Sequence, residues 1–157
     1  MNAAQSYYPR LNLPEAQLRI RQGKGHYEVW CPLRRRFVAL TPEEWVRQHF
    51  VAFLTAERGY PTALLGNEVT IRVGNATRRC DTILYNKEGG TPRAIVEYKA
   101  PNVPITQAVF TQISSYNSVL RAEYLFVSNG LRTIACHIDY ATRQYRFLPD
   151  IPRYEAL

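Results

Sequence analysis

Apolar residues recur along this chain with two periods, and the changes between them mark the elements. Leu18 to Gln22 and His26 to Trp30 alternate apolar and polar around Gly23-Lys24-Gly25, which predicts a first hairpin. Phe37 to Leu40 adds a short strand after the basic turn Arg34-Arg35-Arg36. From residue 42 to about 58 the period lengthens, with Val46, Phe50, Phe53 and Leu54 on one face of a helix that Gly59 stops. Its start has Thr41 as N-cap, Pro42 at the first position, acids in the first turn, and Glu44 at the capping-box position. Leu65 to Val73 reads as a strand that ends in the turn at 74–77. A second hairpin comes next, Arg78 to Tyr85 and Arg93 to Lys99, joined by a turn cluster containing Gly89-Gly90. A helix over 105–121 carries the stripe Ile105, Val109, Ile113, Tyr116 and Leu120. Tyr124 to Val127 reads as a buried strand before Ser128-Asn129-Gly130, and Arg132 to Asp139 with Arg143 to Leu148 as a closing hairpin. Residues 1–16, polar and containing Pro9 and Pro14, read as an extended arm.

This order predicts one domain over residues 1–157, of α/β (α+β) class: a central mixed sheet flanked by two helices, preceded by a β-hairpin. Composition agrees with a globular chain, at 46% hydrophobic and 21% charged. There is no long apolar run and no signal-peptide pattern, so the expectation is a soluble, cytoplasmic protein without a membrane partner. Three scattered cysteines, Cys31, Cys80 and Cys136, have no zinc-ligand spacing and read as reduced thiols. Net charge is +7, from 20 basic against 13 acidic residues, which favours a polyanionic partner. The triplet Arg34 to Arg36 reads either as a phosphate contact or as a solvated turn. Arg47 and Gln48 read either as cleft-lining residues or as plain helix surface. No GxxxxGK[ST] segment is present, so no ATP site is expected.

The candidate chemistry lies in the second hairpin. Glu97 and Lys99 are two residues apart on a strand, so they share a face, and Tyr98 points away. Closing the hairpin over Gly89-Gly90 brings Asp81 opposite them. Ile83, Leu84, Ala94, Ile95 and Val96 surround these charges, so the strands read as central, where an isolated charge is costly. Two carboxylates suit Mg²⁺, and a lysine beside them suits activation of a water. The alternative is a cross-strand ion pair on a solvated face.

The pattern D-x(15)-E-x-K resembles the PD-(D/E)XK nuclease superfamily. A wider ordered set is similar to the N-terminal nuclease domain of type I restriction enzyme R subunits: PEEWVRQ at 42–48, RGYP at 58–61, NEV at 67–69, RRCD at 78–81, VEYKAP at 96–101, QISSYN at 112–117 and VSNG at 127–130. It covers residues 40–130, the expected nuclease-like core; Cys80 stands where the superfamily name has proline. The resemblance implies a Mg²⁺-dependent DNA endonuclease, with Mn²⁺ as a substitute ion. Asp81 and Glu97 would hold the metal, with the backbone carbonyl of Tyr98 as a further ligand, and Lys99 would activate or position water. Glu44 would assist at the metal, against its local reading as a capping residue, and Glu43 would matter less. Gln112 would flank the substrate and Tyr116 border the site, against readings as a boundary amide and a core ring. Arg78 and Arg79 would hold the DNA backbone. Glu68 reads as a partner of Arg72 or Arg79 rather than a ligand. R subunits carry helicase domains after this region, and this chain ends where they would begin. The expectation is a stand-alone domain that meets DNA, and whose further partners would be motor or specificity subunits of a restriction system. The rival reading keeps the fold but makes it a non-catalytic module that binds DNA or a partner.

Overall fold

The computed structural model describes residues 6–157. It begins with the antiparallel meander β1 (Ile20–Gln22), β2 (Tyr27–Cys31) and β3 (Arg36–Ala39), followed by α1 (Pro42–Ala56). A six-stranded sheet comes next, in sequence order: β4 (Leu65–Val73), β5 (Ala76–Tyr85), β6 (Pro92–Tyr98), β7 (Tyr124–Ser128), β8 (Thr133–Asp139) and β9 (Gln144–Leu148). All neighbours are antiparallel except β6 and β7, which run parallel. A parallel pair needs a crossover, and α2 (Gln107–Leu120) supplies it. The central mixed sheet and the two helices expected from the sequence are therefore present.

The sheet separates two cores. On one face Leu84, Val96, Tyr98 and Phe126 pack with Val46, Phe50 and Leu54 of α1 and Val29 of the meander. On the other, Ile83, Ile95, Leu125 and Val127 pack with Val109, Ile113 and Tyr116 of α2. Sequence neighbours such as Ile95 and Val96 thus go to opposite cores, and β6 is buried on both faces, as the apolar run around the charges implied.

The helix boundaries differ slightly from the sequence reading. The N-cap of α1 forms as expected: Thr41 Oγ1 accepts from the Glu44 N–H at 3.0 Å. α1 ends at Ala56, and Gly59 takes φ +74° in the exit turn. α2 begins at Gln107 rather than Ile105, because Thr106 is the N-cap; Ile105 packs against the second core from outside the helix. No helix among the described residues is long and apolar enough to cross a membrane. The cysteines are buried and unpaired.

The predicted arm at 1–16 is only partly covered, since residues 1–5 lie outside the described residues. Residues 8–12 form a strap across the domain. Trp45 Nε1 donates to the Pro9 carbonyl at 3.0 Å, Tyr8 stacks on Trp45, and Leu11 is buried. Asn12 donates through its N–H to the Gly130 carbonyl at 2.8 Å and through Nδ2 to the Leu131 carbonyl at 2.8 Å. Gly130 has φ +81°, and a Cβ there would lie 2.6 Å from Leu11 Cδ2. Gly130→Ala should therefore lower the unfolding free energy by about 2 kcal/mol, from left-handed strain plus the collision. Urea denaturation should show a lower midpoint at unchanged slope.

Candidate functional site

The site forms where regular pairing fails. On β4 and β5 the register runs Leu65↔Leu84 and Asn67↔Thr82, then resumes at Val69↔Cys80. The pair between, Glu68 and Asp81, is missing from it, and Glu68 takes φ +56°. Leu65 and Leu84 pack with α1, whereas Val69 and Cys80, four residues along their strands, pack with α2. Strict alternation would keep each set on one face, so both strands turn over at Glu68 and Asp81. One strand further on, β5 and β6 pair from Tyr85↔Pro92 to Thr82↔Val96 and then part, while β6 stays with β7 to Tyr98↔Ser128. The freed Tyr98 N–H donates to Asp81 Oδ2 at 2.8 Å, so a side chain replaces a ladder bond.

Asp81, Glu97 and Lys99 meet at this opening. Both carboxylates are buried, at 7% and 6% exposure. Tyr116 donates its hydroxyl to Glu97 Oε2 at 2.7 Å, and Lys99 Nζ lies 3.8 Å from Glu97 Oε1. Burial, with the charge of Asp81 beside it, pushes the Glu97 carboxyl up to about 7. Burial also raises Asp81, against the Tyr98 N–H and Arg47, which favour its ionised form. Burial, reinforced by the charge of Glu97, raises Tyr116, which keeps its hydroxyl a donor.

Arg47 organises the acids on the α1 side. Its Nη2 lies 2.5 Å from Glu68 Oε1, 3.2 Å from Asp81 Oδ1 and 3.8 Å from Glu43 Oε1, and its Nη1 pairs with Glu44. Burial opposes its charge, but Glu44, Asp81 and Glu68 outweigh that and hold its pKa above the usual arginine value. Glu44 commits its oxygens to Arg34, Arg47 and Gln48. Its backbone completes the Thr41 cap, but its carboxylate does not close a capping box, because both oxygens are taken up by these side chains. Its neighbour Glu43, the acid expected to matter less, faces the Asp81–Glu97 opening. Burial raises the Glu43 carboxyl, and the charge of Asp81 raises it further. Beyond lies an open cleft of about 540 Å³ lined by Arg34, Arg36, Glu43, Arg47, Glu68 and Arg79.

Other predicted residues divide. Arg79 reaches the cleft and pairs with Glu68 at 3.0 Å. Arg78, next along the strand, bonds the Thr77 carbonyl and is exposed. Glu68 pairs with Arg79 and Arg47, not Arg72. Of the basic triplet, Arg34 is turned inward onto Glu44 and Cys31, while Arg36 is exposed and Arg35 sits at φ +53° in the turn. Tyr116 is both core and site: buried, and bonded to Glu97. Gln112 is exposed on α2, and its side chain has no hydrogen bond among the described residues. The Tyr98 carbonyl lies at the end of β6, between Glu97 and Lys99 in the chain; the ring hydroxyl donates to Thr82 Oγ1 at 2.9 Å. Arg47 is not helix surface but the buried centre of the acid cluster. The signal for that in the sequence is its spacing of three and four from Glu44 and Glu43.

The family described as type I restriction enzyme R protein N terminus matches residues 42–152. The chain belongs to this family. No curated protein matches it. Among solved structures it is similar to a fragment assigned to an HsdR subunit of a type I restriction enzyme from Vibrio vulnificus YJ016, with TM-score 0.52 and 21% identity over 72% of this chain. It spans 24% of that chain, and the likeness is one of fold.

In this R-protein N-terminal domain no group of three or more acidic, histidine or cysteine side chains converges at metal-holding spacing among the described residues. The donor set is the pair Asp81 and Glu97. It fits a magnesium ion, which takes oxygen ligands, needs only one or two carboxylates and keeps several waters. Glu97, forced toward protonation by burial and by Asp81, is a carboxylate short of positive charge.

Arg47 and Glu97 each give the site a measurable signature. Removing Arg47 strands acids that it partners, so Arg47→Met should cost about 3–5 kcal/mol in denaturant unfolding. Without metal, Glu97 titrates near 7 when folded, against roughly 4.3 unfolded. Between these values the folded state binds more protons, so its stability is fullest below the unfolded value and falls as pH rises to about 7. That loss should be about 3 kcal/mol and should largely disappear in Glu97→Gln, as read by unfolding in chelator at successive pH values.

Proposed function

We propose that this domain hydrolyses DNA phosphodiester bonds in a Mg²⁺-dependent reaction, with a PD-(D/E)XK-type core. The observation that carries the reading is the meeting of Asp81, Glu97 and Lys99 where β5 and β6 part, in a chain of the R-protein N-terminal family. Asp81 and Glu97 would hold the ion, with the carbonyl of Tyr98, the next residue on β6, as a further ligand. An ion held by these residues would supply charge stabilisation at the phosphate and a more acidic water.

The chain's own groups prepare that chemistry. The Tyr98 N–H fixes Asp81 by one oxygen, and the Tyr116 hydroxyl fixes Glu97 by one, leaving Glu97 Oε1 turned toward Lys99. Lys99, with about a quarter of its side chain exposed, reaches solvent beside the pair and orients the attacking water or holds its proton. Glu43 adds negative potential from the start of α1, a part that the ion pairs of Glu44 deny to that residue. Arg79 and Arg36 line the cleft, where they suit phosphate contacts without reading bases. Gln112 is left a place on the substrate side of α2 only if DNA extends over that helix. As part of a restriction system, the domain would work beside motor and specificity subunits.

Titration calorimetry with Mg²⁺ and Mn²⁺, followed by plasmid cleavage, tests the reading. Wild-type protein should bind metal and nick DNA, and Asp81→Ala should do neither. Lys99→Ala should keep metal binding and lose about 10²- to 10⁴-fold in cleavage rate. Salt-sensitive DNA binding without metal binding would sink catalysis and leave a binding module.

A further inference from the structure

Arg47 occupies an unusual position for an arginine on a helix. It is 3% exposed, and four carboxylates, those of Glu43, Glu44, Glu68 and Asp81, stand within 3.8 Å of its guanidinium. Arg34 covers Glu44 and Arg79 covers Glu68 from the outside, so the four acids meet three guanidinium groups. The Nη2 atom itself bridges two strands, from Glu68 Oε1 at 2.5 Å on β4 to Asp81 Oδ1 at 3.2 Å on β5. Nε is buried and has no hydrogen-bond partner among the described residues.

Two-metal nucleases place their ions roughly 3.5–4 Å apart, where they clamp the attacking and leaving oxygens. A carboxylate that two ions could share here is Asp81. Its Oδ2 takes the Tyr98 N–H, on the strand that carries Glu97, and its Oδ1 faces Arg47. Any second ion using Asp81 and Glu68 would need the space that Nη2 fills.

We infer that Arg47 is a built-in cation standing in the second metal position, so that this site takes a single divalent ion, at Asp81 and Glu97. The inference rests on the metal-dependent function proposed for the same site. The guanidinium places a fixed positive charge between Asp81 and Glu68, at any metal concentration, and holds Asp81 in one orientation. A guanidinium is suited to that duty because it stays charged and presents several donors in a rigid plane. Arg47 is therefore a positioning residue for the metal-bearing aspartate.

Counting bound Mn²⁺ on the full chain, by electron paramagnetic resonance of the free ion at millimolar concentration, decides it. Wild type should bind one Mn²⁺ per chain, and Glu68→Gln should still bind one. Folded Arg47→Met should take up a second. Two ions on wild type, one of them lost in Glu68→Gln, would overturn the inference and leave the metal-dependent reading standing. A folded Arg47→Met that stays at one would also overturn it. No Mn²⁺ on wild type would overturn both. If Arg47→Met does not fold, the wild-type count and Glu68→Gln still decide.

Discussion

One buried guanidinium makes the rest of this arrangement possible. Arg47 ties α1 to β4 through Glu68 and to β5 through Asp81. Without a cation there, the three elements would each bring negative charge to the same buried point. Desolvating a charge costs several kcal/mol, and a pair recovers that only with good geometry and further hydrogen bonds. Here the neighbouring acids have those further bonds, from Arg34, Gln48, Arg79 and the Tyr98 N–H. The acids of the network are thus partnered without pairing Glu97 to arginine, and that carboxylate remains next to Lys99.

The sheet departs from regular geometry at the same place. A left-handed Glu68 costs on the order of 1 kcal/mol, and the lost ladder position between Glu68 and Asp81 adds to that. As a result Asp81 is reachable from the α1 side, by Arg47, while Glu97 is held from the α2 side, by Tyr116. Two acids on neighbouring strands are thus supported by helices on opposite faces. A flat, regular hairpin would have pointed both the same way and given both to one helix.

The hairpin, its partner lysine, the Thr41 cap and the apolar stripe of α2 were legible in the sequence. All of them depend on local spacing, and local spacing is what a sequence displays. The turnover at Glu68 was not legible, because glutamate has no preference for a left-handed backbone and Asn67-Glu68-Val69 looks like ordinary strand. Nor was the choice between Glu43 and Glu44. Both stand in the first turn of α1, and which one faces the opening depends on Arg34, brought in by the β2–β3 turn, and on Gln48 one turn later. Gln112 and Tyr116 stand four apart on α2, but the ring is buried and the amide exposed, a difference that spacing alone does not display.

The strap of residues 8–12 reaches farther than its position in the chain suggests. Asn12 holds the 130–131 turn by two hydrogen bonds, and the carbonyl of Ser128, just before that turn, accepts the backbone N–H of Lys99 at 3.0 Å. The other end of the strap hangs on Trp45, two residues before Arg47 in the same helix. Trimming the chain back into this strap is therefore not a neutral step. A cut that removes Leu11 and Asn12 would slacken, at once, the loop behind the lysine and the helix behind the acids.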